Sequence, residues 1–206
     1  MTTRGKFITL EGIDGAGKSS HVAAIAGIVE RAGYSVLLTR EPGGTEIGEQ
    51  LRAMLLTAKM HLDTETLLMF AARAEHLRTA IEPALANGVW VISDRFTDAT
   101  FAYQGGGRGL AWAQIAILEQ WVQRGLAPDL TLYFDLPVEI GLERRKQATL
   151  ELDRFEQEDR LFYQRVRGGY LRCVQEAPLR VRVIDASASR ADVHKQVETI
   201  VTSYCL

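Results

Sequence analysis

Apolar positions recur in two rhythms along this chain, and each change of rhythm marks the edge of an element. The run from Lys6 to Glu11 alternates as a strand does, whereas from His21 to Arg31 the apolar residues Val22, Ile25, Ala26, Ile28 and Val29 fall at helical spacing and Gly33 closes the segment. Tyr34 to Thr39 predicts a second short strand. Helical spacing returns over Glu46 to Leu56 and Thr64 to Leu85, and Asn87-Gly88 ends the second of these helices. Val89-Trp90-Val91-Ile92-Ser93 is a continuous apolar run, the signature of a strand buried on both faces. Phe96 to Tyr103 reads as helical, Gln104 to Gly109 as a flexible glycine-rich loop, and Trp112 to Arg124 as an amphipathic helix. Leu130 to Asp135 predicts a fourth strand, Val138 to Lys146 and Glu156 to Val174 two charged helices, Arg180 to Asp185 a fifth strand, and Ala191 to Thr202 a closing helix.

Strands that alternate with helices imply a parallel sheet covered on both faces. The expected fold is therefore an α/β/α three-layer sandwich with a five-stranded parallel sheet. At 206 residues and 47% hydrophobic content the chain can bury one full core, and no repeat or linker divides residues 1–206 into more than a single domain. The formal net charge of −2 gives no reason to expect a nucleic-acid partner. The two cysteines, Cys173 and Cys205, form neither a C-x-x-C pair nor a metal-ligand pattern. The first residues lack an apolar signal core and no later stretch is long and uncharged enough to span a membrane, so the expected location is cytoplasmic.

Chemistry enters at Gly12-Ile13-Asp14-Gly15-Ala16-Gly17-Lys18-Ser19, which fits G-x-x-x-x-G-K-[ST] between a strand and a helix. Glycines let such a loop curl so that successive N–H groups, through Ser20, point at phosphate oxygens, with a helix N-terminus behind the anion. Two other segments leave strand ends where ligands bind in open α/β sheets: Arg40-Glu41-Pro42-Gly43-Gly44-Thr45 and Asp94-Arg95. Phe70 and Arg73, three apart, share a helix face on which one ring could stack on a base and one guanidinium could donate to it. Arg144-Arg145-Lys146 opens a charged segment, residues 144–155, that reads as a mobile flap.

With Phe70-Ala71-Ala72-Arg73, Asp94-Arg95-Phe96, Tyr103 to Gly109 and Leu152-Asp153-Arg154-Phe155, these motifs resemble the bacterial thymidylate kinases, of the P-loop nucleoside monophosphate kinase group, over nearly the whole chain. The resemblance implies a P-loop NTPase-type fold and a homodimer that uses ATP and Mg²⁺ to phosphorylate dTMP to dTDP in dTTP biosynthesis. Rival readings are a kinase for another deoxynucleoside or nucleoside monophosphate and a non-catalytic nucleotide switch.

By the same resemblance Gly12, Ile13, Asp14, Gly15, Ala16, Gly17, Lys18, Ser19 and Ser20 hold ATP, and Arg144 stacks on its adenine. Lys18 reaches the terminal phosphates and Ser19 binds Mg²⁺. Asp94 either orients a Mg²⁺-bound water or caps its strand. Arg95 grips the acceptor phosphate. Glu41 and Arg52 lie near that phosphate and its sugar, Phe70 stacks on thymine, Arg73, Thr100 and Gln104 read its polar edges, and Tyr103 packs under the deoxyribose. Some relatives carry a catalytic arginine in the P-loop beside the carboxylate that Asp14 provides. This chain has Gly15 there, so the charge is expected from the flap, from Arg145 first and Arg154 second.

Overall fold

The computed structural model describes residues 3–148 and 153–205, with backbone alone at positions 145, 147 and 148. Its strands are β1 (Phe7–Glu11), β2 (Val36–Arg40), β3 (Trp90–Asp94), β4 (Leu130–Asp135) and β5 (Val181–Asp185), hydrogen-bonded in the order β2-β3-β1-β4-β5. Every pairing is parallel. Residues of β1, β3 and β4 are buried almost throughout, as burial on both faces at the centre requires, whereas the edge strand β2 has no fully buried residue and β5 buries only Val181 and Ile184.

Register decides where the site forms. Leu10 lies opposite Asp94, Arg40 opposite Asp94 and Glu11 opposite Tyr133, so the loops that follow β1, β2, β3 and β4 leave the sheet along one edge. β1 sits between β3 and β4, and the chain crosses over it from one side of the sheet to the other. That crossing opens the crevice in which α/β sheets bind ligands.

Helices α1 (Ser19–Arg31), α2 (Glu46–Thr57) and α3 (Leu62–His76) come first, and α3 continues through a π-helical turn, Leu77–Ile81, into α4 (Glu82–Ala86). After β3 come α5 (Thr97–Thr100), a π-helical stretch Phe101–Gly107 and α6 (Trp112–Gln123); then α7 (Val138–Ala148), α8 (Arg160–Glu176) and α9 (Arg190–Cys205). One apolar cluster joins Ile8, Leu10, Leu132 and Phe134 to Ile25 and Val29 of α1, Tyr163 and Tyr170 of α8, and Val197 of α9. A second joins Phe7 and Val91 to Phe70, Leu77, Phe96 and Ile115. No helix among the described residues is long and apolar enough to cross a membrane.

The expected flexible loop at Gln104 to Gly109 is corrected, because most of it is helical. A Cβ on Gly106 would stand 2.7 Å from the Arg165 carbonyl oxygen, one on Gly107 2.6 Å from the Phe162 ring, and one on Gly169 2.8 Å from the Ala102 Cα. Gly106 and Gly169 let the π-helical stretch and α8 meet backbone to backbone, and Gly107 leaves room for the Phe162 ring of α8. The flap's residues 149–152 lie outside the described residues.

Candidate active site

Behind β1 the chain turns through Gly12 (φ 139°), Gly15 (φ 82°) and Gly17 (φ 86°), conformations that a side chain disfavours. Space enforces the same choice. A Cβ on Gly12 would lie 2.6 Å from the Phe134 carbonyl oxygen, and one on Gly15 2.6 Å from the carbonyl oxygen of Gly141 in α7. The loop is thus pinned between β4 and α7. Lys18 folds back over it, donating to the carbonyls of Gly12 at 3.0 Å and Ile13 at 3.2 Å. Burial, reinforced by the charge of Arg95, lowers the affinity of Lys18 for its proton. Ser20 donates to the Gly17 carbonyl at 2.7 Å, which ties its hydroxyl to the loop, and α1 carries no acidic residue in its first turn. The positive end of that helix is therefore free to face an anion.

Ser19 donates to Asp94 Oδ2 at 3.2 Å across the gap between loop and β3. Asp94 Oδ1 is buried with no hydrogen-bond partner among the described residues. A buried carboxylate oxygen without a donor, beside a serine hydroxyl, fits a hard divalent cation or its bound water. No cluster of three or more His, Cys, Asp or Glu that could hold a metal occurs among the described residues, so such a cation would draw its other ligands from phosphate and water.

Arg95 follows Asp94 with φ 72°, left-handed backbone that a non-glycine residue adopts only under constraint. Its N–H donates to the Leu10 carbonyl at 2.9 Å, and its carbonyl accepts from Ser93 Oγ at 2.7 Å. The turn aims the guanidinium into the crevice. There it donates to Asp14 Oδ1 at 2.5 Å, to the Gly12 carbonyl at 3.0 Å, and to the hydroxyls of Tyr170 at 3.0 Å and Tyr103 at 3.2 Å. Burial works to raise the Asp14 carboxyl, but the charges of Arg95 and Lys18 and a hydrogen bond from Tyr103 outweigh it and hold the group below the usual carboxylate range. Asp14 is therefore an anion inside an anion-binding loop, neutralised by Arg95.

A cleft of about 660 Å³, mouth included, opens beside this pair. Arg73 crosses its wall, with its guanidinium between the rings of Phe70 and Phe96 at 4.8 and 5.1 Å. It donates from Nε to Glu41 Oε2 at 2.7 Å and from Nη2 to Thr100 Oγ1 at 3.1 Å, while Nη1 is buried with no partner among the described residues. Glu41 is held in turn by His76, whose Nδ1 lies 3.0 Å from Oε1 and whose Nε2 lies 2.6 Å from Thr39 Oγ1. Tyr103, Gln104 and Arg52 also line the cleft; Gln104 donates to buried Glu65 at 2.8 Å and Arg52 to the Pro42 carbonyl at 2.9 Å. Elements far apart in sequence thus build a phosphate loop and a walled cleft joined by one arginine.

The sequence profile described as thymidylate kinase matches residues 10–197. The chain belongs to the thymidylate kinase family. It is 60% identical over 200 residues to the thymidylate kinase of Cupriavidus metallidurans, across 97% of this chain and 99% of that protein. To the thymidylate kinase of Nitrosomonas europaea it is 56% identical over 203 residues, across 98% and 94%. The crystal structure of thymidylate kinase from Ehrlichia chaffeensis superposes with a TM-score of 0.78 at 33% identity, across 96% of this chain and 99% of that one.

Set beside the expectations drawn from the thymidylate kinase family, most residues meet, and two lie elsewhere. Asp14, Glu41, Arg52, Arg73, Arg95, Thr100, Tyr103 and Gln104 converge on the cleft. The Phe70 ring does not line it: it is 2% exposed in the second core cluster, and Met69, one residue earlier, takes the cleft-facing position. This corrects the placement of Phe70, since helical rotation turns the two neighbours about 100° apart. Arg154 is directed away from the phosphate loop. Its Nε and Nη2 donate to the Leu55 carbonyl at 3.0 and 2.9 Å and its Nη1 to Glu65 at 2.6 Å, over the Phe155 ring. Arg144 donates to the Ala186 carbonyl behind β5 at 3.2 Å, and the Arg145 side chain lies outside the described residues. His76, Glu65, Glu11 and Tyr170 join the network without any motif to announce them; only the three-residue offset of His76 from Arg73 on one helix face gave a sign.

Proposed function

We propose that this chain transfers the γ-phosphoryl group of ATP to the 5′-phosphate of dTMP, giving ADP and dTDP, as a Mg²⁺-dependent kinase that supplies dTTP synthesis. Full-length similarity to proteins named thymidylate kinase supports the assignment. The observation that carries the mechanism is the reach of Arg95 from the cleft to Asp14 and Gly12 in the phosphate loop, which puts an acceptor-side cation where two nucleotide phosphates must meet.

Phosphoryl transfer asks a protein for in-line placement and positive charge and needs no covalent intermediate. Lys18 exchanges its loop carbonyls for the terminal phosphates of ATP. Arg95 holds the acceptor phosphate, and Asp14 keeps that guanidinium in place as a charged hydrogen-bond partner. Nη1 of Arg73, with no partner among the described residues, offers a donor to a pyrimidine carbonyl, with Thr100 and Gln104 beside it and Met69 and Phe96 as apolar walls. Tyr103, on the cleft wall, would crowd a ribose 2′-hydroxyl. Ser19 and Asp94 would hold Mg²⁺, which when bound draws charge from the β- and γ-phosphates.

Gly15 has no room for a side chain, so the remaining transition-state charge comes from the flap. Arg145 is the proposed source, because the Arg154 guanidinium is committed to Glu65 and Leu55; Arg144, which donates to the Ala186 carbonyl, is the proposed cover for the adenine. The same reading makes the enzyme a cytoplasmic homodimer. Leu67 on α3 and Ile117 and Trp121 on α6 support the dimer, since these large apolar side chains are exposed on two helices that pack together. An acceptor panel of dTMP, dUMP, thymidine and dGMP with ATP tests the reading: dTMP should be used best, and a preference for thymidine or dGMP would overturn it.

A further inference from the structure

We propose that Glu11 is a positioning residue for Arg95, acting on its backbone directly and on its guanidinium through the Tyr170 hydroxyl. Glu11 ends β1 one residue before the phosphate loop, and it is fully buried. A buried carboxyl is costly unless its oxygens are used, and both are spent on groups that fix Arg95. Oε1 accepts from the N–H of Phe96, the residue after Arg95, at 2.7 Å. Oε2 accepts from the Tyr170 hydroxyl at 2.9 Å, and the Tyr170 oxygen lies 3.0 Å from Arg95 Nη1.

The direction of these bonds matters. Arg95 can only donate, so Tyr170 must accept from it, and a phenol that accepts on one side has its single proton for the other. In its ionised form Glu11 can only accept, so it receives the hydrogen bond from that hydroxyl and sets the rotor of Tyr170 with its lone pair toward Arg95. The ring is held in place by stacking on Tyr133, with centroids 5.1 Å apart and planes 27° apart. On the backbone side, left-handed Arg95 persists only where neighbours over-determine it, and the Phe96 bond to Glu11 is one of three that do so, with those of Leu10 and Ser93. One side chain therefore braces both the turn that aims Arg95 and the guanidinium at its end. The charged and titratable groups around it are Asp98 of α5, Arg95 itself, Tyr170 and Cys173 of α8, Lys18 and Arg180. Burial, with the charge of Asp98 adding to it, pushes the Glu11 carboxyl up to about 8, so the site tolerates an expensive group rather than an apolar one.

The inference rests on reading Arg95 as the acceptor-phosphate arginine, and steady-state kinetics of the full chain above about pH 8, where Glu11 is ionised, separate the two ideas. Tyr170→Phe removes only the bridging hydroxyl; it should raise the KM for dTMP about tenfold, the loss of one charge-assisted hydrogen bond, and leave the KM for ATP within about twofold. Glu11→Gln keeps an oxygen for the Phe96 N–H and should raise the dTMP KM by a smaller factor, again without moving that for ATP. In Arg95→Ala, adding Tyr170→Phe should change the dTMP KM no further. If Arg95→Ala itself leaves the dTMP KM unchanged, the reading of Arg95 fails. If Arg95→Ala raises it but Tyr170→Phe does not, or raises both KM values equally, or adds in full to Arg95→Ala, the positioning role is overturned.

Discussion

The Arg95 guanidinium donates to the Asp14 carboxylate at 2.5 Å, and this contact joins the acceptor cleft to the phosphate loop. Lys18 shares the Gly12 carbonyl with Arg95 and donates to the Ile13 carbonyl as well. The two cations on this loop divide the work. Arg95→Ala should chiefly raise the KM for dTMP, whereas Lys18→Ala should lower kcat by about 10²–10³ with a smaller effect on KM, the loss expected for one transition-state contact. Steady-state kinetics check the division, and equal small effects from the two substitutions would contradict it.

Gly15 meets the Gly141 carbonyl where α7 crosses the loop, so a methyl group there has no space and the wrong backbone angle. Gly15→Ala should cost about 1–3 kcal/mol, which for a chain of this size lowers the melting temperature by roughly 2–10 °C. Differential scanning calorimetry of the unliganded chain measures it. An unchanged melting temperature would mean that α7 does not hold the loop.

Glu11 gives a pH signature in stability. Because the folded chain raises this carboxyl from 4.5 to about 8, folding retains a proton that the unfolded chain releases over that interval. The stability tied to that proton is full below about pH 4.5 and is lost as pH rises to about 8. Glu11→Gln cannot titrate, so its melting temperature should gain on that of the parent chain between about pH 5 and 8. Melting curves that stay parallel across this range would contradict the assignment.

Arg154 and Arg145 separate by what they touch. With its guanidinium on Glu65 and the Leu55 carbonyl, Arg154 anchors the end of the flap to α2 and α3; Arg154→Ala should lower the melting temperature by several degrees and hold kcat within about threefold. Arg145→Ala should do the reverse, with kcat down by about 10²-fold and the melting temperature unmoved. Matched kinetics and thermal melts of the two variants decide it, and a kcat loss confined to Arg154→Ala would reassign the catalytic charge.

Much of this was legible from residue pattern. The central strands announced themselves as unbroken apolar runs because both their faces are covered, and the phosphate loop because its glycine spacing answers to backbone geometry. Asp94-Arg95 could be singled out because a polar pair directly behind a buried strand must emerge at the sheet edge. The glycines from Gly105 to Gly107 misled: glycine marks either a turn or a close approach, and only the packing of α6 and α8 distinguishes the two. Phe70 misled for a related reason, since one step along a helix separates a core position from a cleft position. Glu11 and Tyr170 were silent. They lie 159 positions apart and meet only when α8 packs on β1.

The central claim is that the cleft joined by Arg95 to the phosphate loop accepts dTMP and passes it a phosphoryl group from ATP. Incubation of the purified chain with ATP, Mg²⁺ and dTMP, with dTDP and ADP resolved by chromatography, tests it most directly. The account predicts dTDP and ADP in equal amounts, and their near loss in Lys18→Ala. ADP without dTDP, or dTDP no higher than in the absence of protein, would contradict it.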